Sequence, residues 1–463
     1  MTTVDATGFP KSEAQPGLKR AIGPVLLTLY GLGSMLGAGV YGLIGEAAGE
    51  LGSAIWTGFL VSMVAALLTG LSYASIASRY PRAGGAAYVV HRAYRKPLLS
   101  YMIGLAVVCS GLTSIATQAN VVAANLHDAL GLTFAPTWML AIGFLLLVAG
   151  VLFRGISESV WFNAVCTFVE AFGLLLVIAV GISYWGEADL LQFPSVAEGV
   201  TGSVAVLIMQ GTVLTFFSFI GFEDMLNVSE EVKQPERNMP LGMIAAMVIA
   251  TVIYLGVAVT AVSVVPWQEL SQSSGPLTLV VERAAPWFPS IGFVAITLFA
   301  VANTALVNYV MASRLLYGMA QQGLAPRALG AVHPTRRTPH VAIGVLFAVV
   351  VVLAMIGNIA ALAASTVLLL LTVFVIVNTA LIVLQRRPGE KSGRFEVLSA
   401  VPAAGALVCL SLIVARASTG EWLAIAIALG LLAAIAALYF VTGAGRDERI
   451  AQFLAAEKAE SGD

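Results

Sequence analysis

Long apolar runs dominate the chain, and two of them are interrupted near the middle. A membrane-spanning helix needs about 20 mostly apolar residues, and we predict twelve such spans. They cover residues 21–46, 53–77, 98–124, 137–153, 159–184, 201–231, 240–264, 287–320, 340–356, 359–384, 397–416 and 420–442. Only Gly357 and Asn358 separate spans nine and ten, which predicts a tight hairpin. The runs lack the alternation of apolar and polar residues that membrane barrels require.

The interruptions lie in the first and sixth spans. Five glycines between residues 31 and 42 punctuate the first run, and the sixth reads Gly221-Phe222-Glu223-Asp224 within an apolar segment. A carboxylate inside hydrocarbon is costly and points to function. Irregular backbone at this depth survives only where it lines a cavity or is buried in protein. Paired interrupted helices therefore indicate the substrate site of a secondary transporter. Taken alone, the first break is also compatible with close helix packing through small residues.

Charge supports the count of spans and gives an orientation. The chain is 59% hydrophobic and 11% charged over 463 residues, whereas soluble domains carry about 25% charged residues. With a cytoplasmic N-terminus, the twelve spans place 22 of the 24 Lys and Arg residues inside and leave only Arg283 and Arg416 outside. Membrane insertion favours this asymmetry. We expect a multi-pass protein of the plasma membrane, or of a bacterial inner membrane, with both termini in the cytoplasm.

Several other classes of function find no support in the composition. The net charge of −1 gives no basis for nucleic-acid binding. The three cysteines lie in apolar runs without disulfide or metal-ligand spacing. The pattern contains no nucleophile with a general base, so we predict no enzyme, no metal site and no cofactor. The first twenty residues are polar, which argues against a cleavable signal peptide.

The two breaks point in opposite directions across the membrane. The first span runs from inside to outside, and the sixth, five spans later, runs from outside to inside. This layout predicts two inverted five-helix repeats, at 21–184 and 201–384, and two further helices at 397–442. The ends, 1–20 and 443–463, are predicted to be cytoplasmic. Helix ends at a break carry partial charges of roughly +0.5 and −0.5, which suit the carboxylate and the ammonium of an amino acid, respectively.

Four segments resemble those of one transporter family. The first is residues 33–41, GSMLGAGVY, which is similar to the family's G-[SA]-G-[VI]-[FY] segment, and the second is residues 79–88, RYPRAGGAAY, which is similar to its P-x-[AS]-G-G segment ahead of a tyrosine. The third is residues 217–223, FSFIGFE, followed by 229–235, SEEVKQP. The fourth is residues 312–314, ASR, followed by 322–326, QGLAP. In the last segment Gln322 replaces the usual acid. On these motifs the chain is identified as a member of the amino acid–polyamine–organocation (APC) superfamily.

The resemblance implies an all-α membrane protein with the LeuT-type fold. Twelve transmembrane helices would form a 5+5 inverted repeat, with helices one and six broken and two extra C-terminal helices. The substrate would lie between spans one, three, six, eight and ten. Its carboxylate would meet backbone N–H groups around Ala38 and Gly39, and its ammonium would meet carbonyl groups of spans one and six. Phe217 or Phe219 would close over it. The implied substrate-binding residues are Ser34, Met35, Ala38, Gly39, Phe217, Phe219, Ile220 and Phe222.

Three acids are candidates for coupling transport to an ion. Glu170 lies in span five with no other charge within ten residues. A buried carboxyl can carry a proton near neutral pH, and an ionised carboxylate can bind Na⁺. A carboxyl that stays protonated can also have only a structural role, in packing between the helices. The family often has a lysine at this position. Glutamate has the opposite charge, so a coupling mechanism that uses the lysine cannot apply unchanged to this chain. Glu223 resembles a span-six acid implicated in proton sensing, and Asp224 lies beside it.

The combined prediction is a secondary active transporter that moves an amino acid by alternating access, coupled to H⁺. Coupling to Na⁺ and exchange of an amino acid for an amine are alternatives within the same fold. A membrane receptor that binds an amino acid without transporting it is an alternative of another class. The identity of the amino acid stays open, because the sequence does not say which side chains face the cavity.

Overall fold

The computed structural model describes residues 20, 22–80, 85–129, 135–154, 160–194, 204–321, 326–334, 338–418 and 422–442. Within these ranges the regular structure is α-helix and 3-10 helix, together with one isolated backbone bridge between Ile22 and Val232. The α-helices are α1 (Pro24–Met35), α2 (Ala38–Leu51), α3 (Ile55–Arg79), α4 (Gly85–Tyr94), α5 (Pro97–Ala129), α6 (Thr137–Arg154), α7 (Val160–Gly181), α8 (Val204–Phe216), α9 (Pro235–Val264), α10 (Trp267–Gln272), α11 (Pro276–Ala284), α12 (Ser290–Gln321), α13 (His340–Ile356), α14 (Ile359–Arg386), α15 (Ala400–Ala417) and α16 (Trp422–Thr442).

The described helices fit a multi-pass membrane protein. Ten helical stretches in these ranges are long and apolar enough to cross a membrane, and α1 and α13 are two shorter apolar helices. Each predicted run overlaps one or more of these helices. The all-α membrane class is confirmed, and the number of crossings stays a prediction. Four of the helices, α1, α5, α9 and α11, begin at a proline, where its missing N–H breaks no helical hydrogen bond.

The short connection predicted between α13 and α14 is confirmed, but the two helices pack on different partners, α13 mainly on α5 and α6 and α14 mainly on α5 and α15. The first helix ends at Ile356 and the second begins at Ile359, which leaves two residues for the turn. The side chain of Asn358 accepts a hydrogen bond from the backbone N–H of Ala361 at 2.7 Å. An asparagine at this position satisfies one of the N–H groups that a helix start leaves open.

Two apolar cores hold the helices together. The larger core is formed mainly by α1–α4, α7–α11 and α14. The smaller core comes mainly from α5, α6, α12 and α13. Helices α5 and α12 contribute buried side chains to both cores, so the contact between the cores runs along them. Because lipid is as apolar as these side chains, close packing holds such helices together more than exclusion of water does.

A polar loop between α14 and α15 binds the ends of α3 and α4. Arg79 donates three hydrogen bonds to the carboxylate of Glu396, at 2.7–3.0 Å. Glu390 accepts hydrogen bonds from Tyr80 Oη at 2.7 Å and Arg92 Nε at 2.5 Å. Burial opposes the ionised form of Glu390, but these two donors hold its pKa below the usual range. Burial, together with the Glu390 carboxylate, raises the pKa of Tyr80 to about 12.

Candidate functional site

The first interruption separates α1 from α2. Helix α1 ends at Met35, Leu36 has an extended conformation (φ −73°, ψ 98°), and Gly37 precedes the first residue of α2. A helix leaves its first N–H groups without helical acceptors and its last carbonyl groups without helical donors. The start of α2, at Ala38 and Gly39, therefore presents backbone donors at the break. The end of α1 presents acceptors.

The second interruption follows α8. That helix ends at Phe216 and continues as a 3-10 turn to Phe219. Ile220 is extended, and Gly221 has φ +123°, a conformation that favours glycine. A 3-10 helix then covers Phe222–Glu231. Such helices rarely exceed three or four residues, so this segment departs strongly from the regular helix expected of a membrane span.

The two interruptions touch through their backbones. A Cβ atom on Gly39 would lie 2.5 Å from Cα of Ser218, and one on Gly221 would lie 2.4 Å from the carbonyl oxygen of Ser34. Real side chains do not reach such distances, so these glycines allow an approach that alanine would block. The first break also contacts α12, because a Cβ on Gly37 would lie 2.1 Å from Thr304 Oγ1.

Tyr254 of α9 links the two interruptions directly. Its hydroxyl lies 2.7 Å from the carbonyl oxygen of Met35 and 2.8 Å from that of Ser218. One hydroxyl proton is shared between the two acceptors. The ring is fully buried and meets Phe219 edge to face, with 5.3 Å between the ring centroids. A second link joins the far ends of the segments, where the N–H of Lys233 donates to the carbonyl of Ile22 at 2.9 Å.

A small cavity of about 20 Å³, with room for roughly one water molecule, lies where the two breaks meet the smaller core. One wall belongs to the broken segments and consists of Ser34, Met35, Gly39, Phe217, Ile220 and Gly221. The opposite wall belongs to α5 and α12 and consists of Ser114, Gln118, Thr304 and Asn308. None of these ten residues carries a charged side chain. The cavity thus lies between the two apolar cores, with discontinuous helices on one side and continuous ones on the other.

The structure brings most of the sequence-predicted binding residues to this cavity. Five of the eight line it, namely Ser34, Met35, Gly39, Phe217 and Ile220. The backbone of Ala38 starts α2 beside them. Two aromatic residues lie elsewhere. Phe219 packs against Tyr254, and Phe222 packs between Tyr73 and Phe374, with ring centroids 5.7 and 5.3 Å away. Both rings are fully buried, and neither is among the residues that line the cavity.

Sequence reasoning did not assign the polar residues of the second wall. Ser114 and Gln118 are four residues apart on α5, and Thr304 and Asn308 are four residues apart on α12. Residues at this spacing share one face of a helix. Paired polar residues four apart in an apolar span are therefore the signal that could have found this wall.

The three predicted coupling acids do not form one cluster. Glu170 is fully buried, its Oε1 accepts a hydrogen bond from Asn303 Nδ2 at 3.0 Å, and its backbone carbonyl accepts one from Tyr41 Oη at 2.6 Å. Its Oε2 has no hydrogen-bond partner among the described residues. Glu223 bends back on its own segment and accepts a hydrogen bond from the N–H of Gly221 at 2.9 Å. Asp224 is also buried, on the same 3-10 helix.

The described residues contain no group of three or more His, Cys, Asp or Glu side chains that could hold a metal ion. An all-helical membrane bundle with two broken helices beside a polar cavity is the architecture of a secondary transporter. Residues 22–446 match the family model of the amino acid permeases, and the chain belongs to that family. It is therefore a transporter of the APC superfamily and not an enzyme, as predicted.

Similar proteins are known from bacteria and plants. The branched-chain amino acid permease BcaP of Bacillus subtilis is 28% identical over 426 residues, which are 87% of this chain and 89% of the permease. The methylthioribose transporter of the same bacterium is 29% identical over 416 residues, 85% and 87% of the two chains. The chloroplastic cationic amino acid transporter 9 of Arabidopsis thaliana is 30% identical over 350 residues, 70% and 59% of the two chains.

Proposed function

We propose that this protein moves an amino acid across the membrane by alternating access, coupled to the movement of a proton. The observation that carries this proposal is the position of the cavity. It lies between two separately packed cores, and the two broken segments form one of its walls. Movement of one core against the other would open the cavity to each side of the membrane in turn.

The proposed topology has twelve spans in two inverted five-helix repeats, residues 21–184 and 201–384, with two further helices at 397–442 and both termini in the cytoplasm. The distribution of Lys and Arg supports this orientation. The contact between the first and sixth spans at Gly39 and Ser218 supports the repeat, because inverted repeats bring their equivalent broken helices together at the substrate site.

The proposed ligand is the zwitterionic part of an amino acid. Its carboxylate would bind the N–H groups at the start of α2, where the partial charge of the helix is positive. Its ammonium would bind the carbonyl groups at the ends of α1 and α8, including those of Met35, Phe217 and Ile220. The Met35 carbonyl already accepts a hydrogen bond from Tyr254, and a carbonyl oxygen has a second lone pair for the ammonium.

Glu170 is the proposed proton carrier. Its carboxyl is enclosed by protein, and among the described residues no Lys or Arg pairs with it. A neutral carboxyl is favoured over an isolated charge in such a place. Asn303 donates a hydrogen bond to Oε1, which leaves Oε2, without a partner among the described residues, as the oxygen that would carry the proton.

Uptake into proteoliposomes tests the proposal. Purified protein would be reconstituted and given radiolabelled amino acids under an imposed pH gradient, an imposed Na⁺ gradient, or neither. We expect accumulation above the outside concentration only with the pH gradient. Accumulation that follows Na⁺ would overturn the proton proposal. Exchange that ignores both gradients would overturn coupling, and binding without any flux would indicate a receptor.

A further inference from the structure

The second wall of the cavity carries a set of amide and hydroxyl groups whose hydrogen bonds are incomplete. The side-chain amides of Gln118 and Asn308 both donate to Ser114 Oγ, at 3.1 and 3.2 Å. Since this oxygen accepts two hydrogen bonds, the Ser114 hydroxyl proton is left to donate elsewhere. The three residues come from two helices, α5 and α12, and hold one another in place.

Gln118 supplies an acceptor without a donor. Its side chain is fully buried and lines the cavity. Among the described residues, its Oε1 atom has no hydrogen-bond partner. Buried polar atoms are nearly always hydrogen-bonded in proteins, and each exception calls for a reason. A donor on a bound substrate would satisfy this oxygen, and the neighbouring Ser114 hydroxyl would then supply a donor to the same substrate group.

The described residues that line the cavity include no counter-ion for a charged side chain. They are all apolar or neutral polar residues. None of the three candidate coupling acids, Glu170, Glu223 and Asp224, is among the residues that line the cavity. A second ammonium or guanidinium group would lose its hydration here without gaining a carboxylate in the lining, which is unfavourable. A purely apolar side chain would leave Gln118 Oε1 without a donor, which is also unfavourable.

We propose that Gln118, with Ser114, selects an amino acid whose side chain is uncharged and can both donate and accept hydrogen bonds. Hydroxyl and carboxamide side chains meet this requirement. This inference rests on the proposed function, because it names the substrate class of the same cavity. It assigns Gln118 as the specificity-determining residue of the wall formed by α5 and α12.

Threonine and valine form the sharpest test, since they have nearly the same shape and differ by a hydroxyl in place of a methyl. In a counterflow assay, proteoliposomes preloaded with one amino acid take up its radiolabelled form. The assay would measure how strongly added threonine or valine competes with this uptake. We expect threonine to compete at least about tenfold better than valine, because a site built to hydrogen-bond rejects analogues that lack the group. Asparagine against leucine gives a second matched pair, and lysine and spermidine represent the charged class.

The variant Gln118→Leu should erase or reverse the preference for threonine over valine in the counterflow that remains. Gln210→Leu, the same change on α8 outside the cavity lining, should leave the preference unchanged. If Gln118→Leu does not fold, the ratio measured for the wild-type protein decides alone. A wild-type preference for valine, leucine, lysine or spermidine would overturn this inference and leave amino acid transport intact. A complete lack of amino acid counterflow would overturn the proposed function itself.

Discussion

The hydroxyl of Tyr254 and the carbonyl oxygen of Met35 lie 2.7 Å apart, although 219 positions separate them in the chain. The same hydroxyl lies 2.8 Å from the carbonyl oxygen of Ser218. One side chain of α9 therefore joins the end of α1 to the 3-10 turn after α8. These two carbonyl groups belong to the interruptions, so their orientation depends on a residue that does not line the cavity.

Replacing this tyrosine with phenylalanine should impair transport more than stability. Tyr254→Phe leaves two buried carbonyl groups without their shared donor, and a single such loss costs about 1–3 kcal/mol. We expect the rate of amino acid uptake to fall roughly tenfold, the change that about 1.4 kcal/mol produces. The measurement is initial uptake into proteoliposomes, with a thermal unfolding curve for each protein.

Tyr309→Phe is the matched control. The Tyr309 hydroxyl is also buried and donates to the carbonyl of Ile343 at 2.6 Å, within the smaller core. Both variants should lower the unfolding temperature by similar amounts, but only Tyr254→Phe should slow uptake strongly. Equal loss of uptake in the two variants would show that Tyr254 acts through general stability.

A single methyl group at Gly39 should abolish substrate binding. Alanine favours a helix over glycine by up to about 1 kcal/mol, so helix propensity alone would make Gly39→Ala stabilising. The methyl would lie 2.5 Å from Cα of Ser218, however, and would force the two interruptions apart. We expect loss of the stabilisation that a transported amino acid gives in a thermal-shift assay.

The matched control is Gly344→Ala in α13, where nothing lies within 4 Å of the added methyl. This variant should keep the ligand-induced shift and melt at the same or a slightly higher temperature. If Gly39→Ala also retained the full shift, close contact between the two breaks would not be needed for binding.

Glu170→Gln should separate coupling from exchange. Glutamine keeps the shape of the side chain and an oxygen that can accept the hydrogen bond from Asn303, but it cannot carry a proton. We expect accumulation driven by a pH gradient to fall to the level of protein-free liposomes, while counterflow continues. Glu269→Gln, at an exposed ion pair with Arg283, serves as a control that should accumulate normally. Full accumulation by Glu170→Gln would remove this residue from the coupling mechanism.

The loop between α14 and α15 should make stability depend on pH at both extremes. Because the pKa of Glu390 is lowered from 4.5 in the folded protein, its ionisation stabilises the fold above that value. The stabilisation is lost as the pH falls below 4.5 through the lowered pKa. Because the pKa of Tyr80 is raised from 10.0 to about 12, its contribution is complete below pH 10 and is lost as the pH rises toward 12.

Unfolding temperatures of the wild-type protein and Glu390→Gln would test the acidic side. The difference should be largest near neutral pH and should shrink as the pH falls below 4.5. The exposed pair of Glu269 and Arg283 offers a comparison, since surface pairs contribute about 0–1 kcal/mol, and Glu269→Gln should change little at any pH. A difference for Glu390→Gln that is constant with pH would contradict the ionic role of the carboxylate.

The sequence predicts the helices well because a membrane span needs a long apolar run, and such a run is visible residue by residue. It also predicts the neighbourhood of both interruptions, since a cluster of glycines marks the first and acids in hydrocarbon, which are rare, mark the second. It does not predict that Tyr254 links the two interruptions, because this residue is one tyrosine in an ordinary apolar span. It does not separate Phe217, at the cavity, from Phe219, in the core, because hydropathy does not say whether a side chain faces a cavity, lipid or another helix.

The contact between Gly37 and Thr304 limits how the two cores can move. No space remains there even for a methyl group, since a Cβ on Gly37 would lie 2.1 Å from Thr304 Oγ1. Close-packed protein resists compression, so the broken segments cannot come any nearer to α12 at this point. If the two cores move against each other as proposed, this contact between Gly37 and Thr304 would mark one end of that movement.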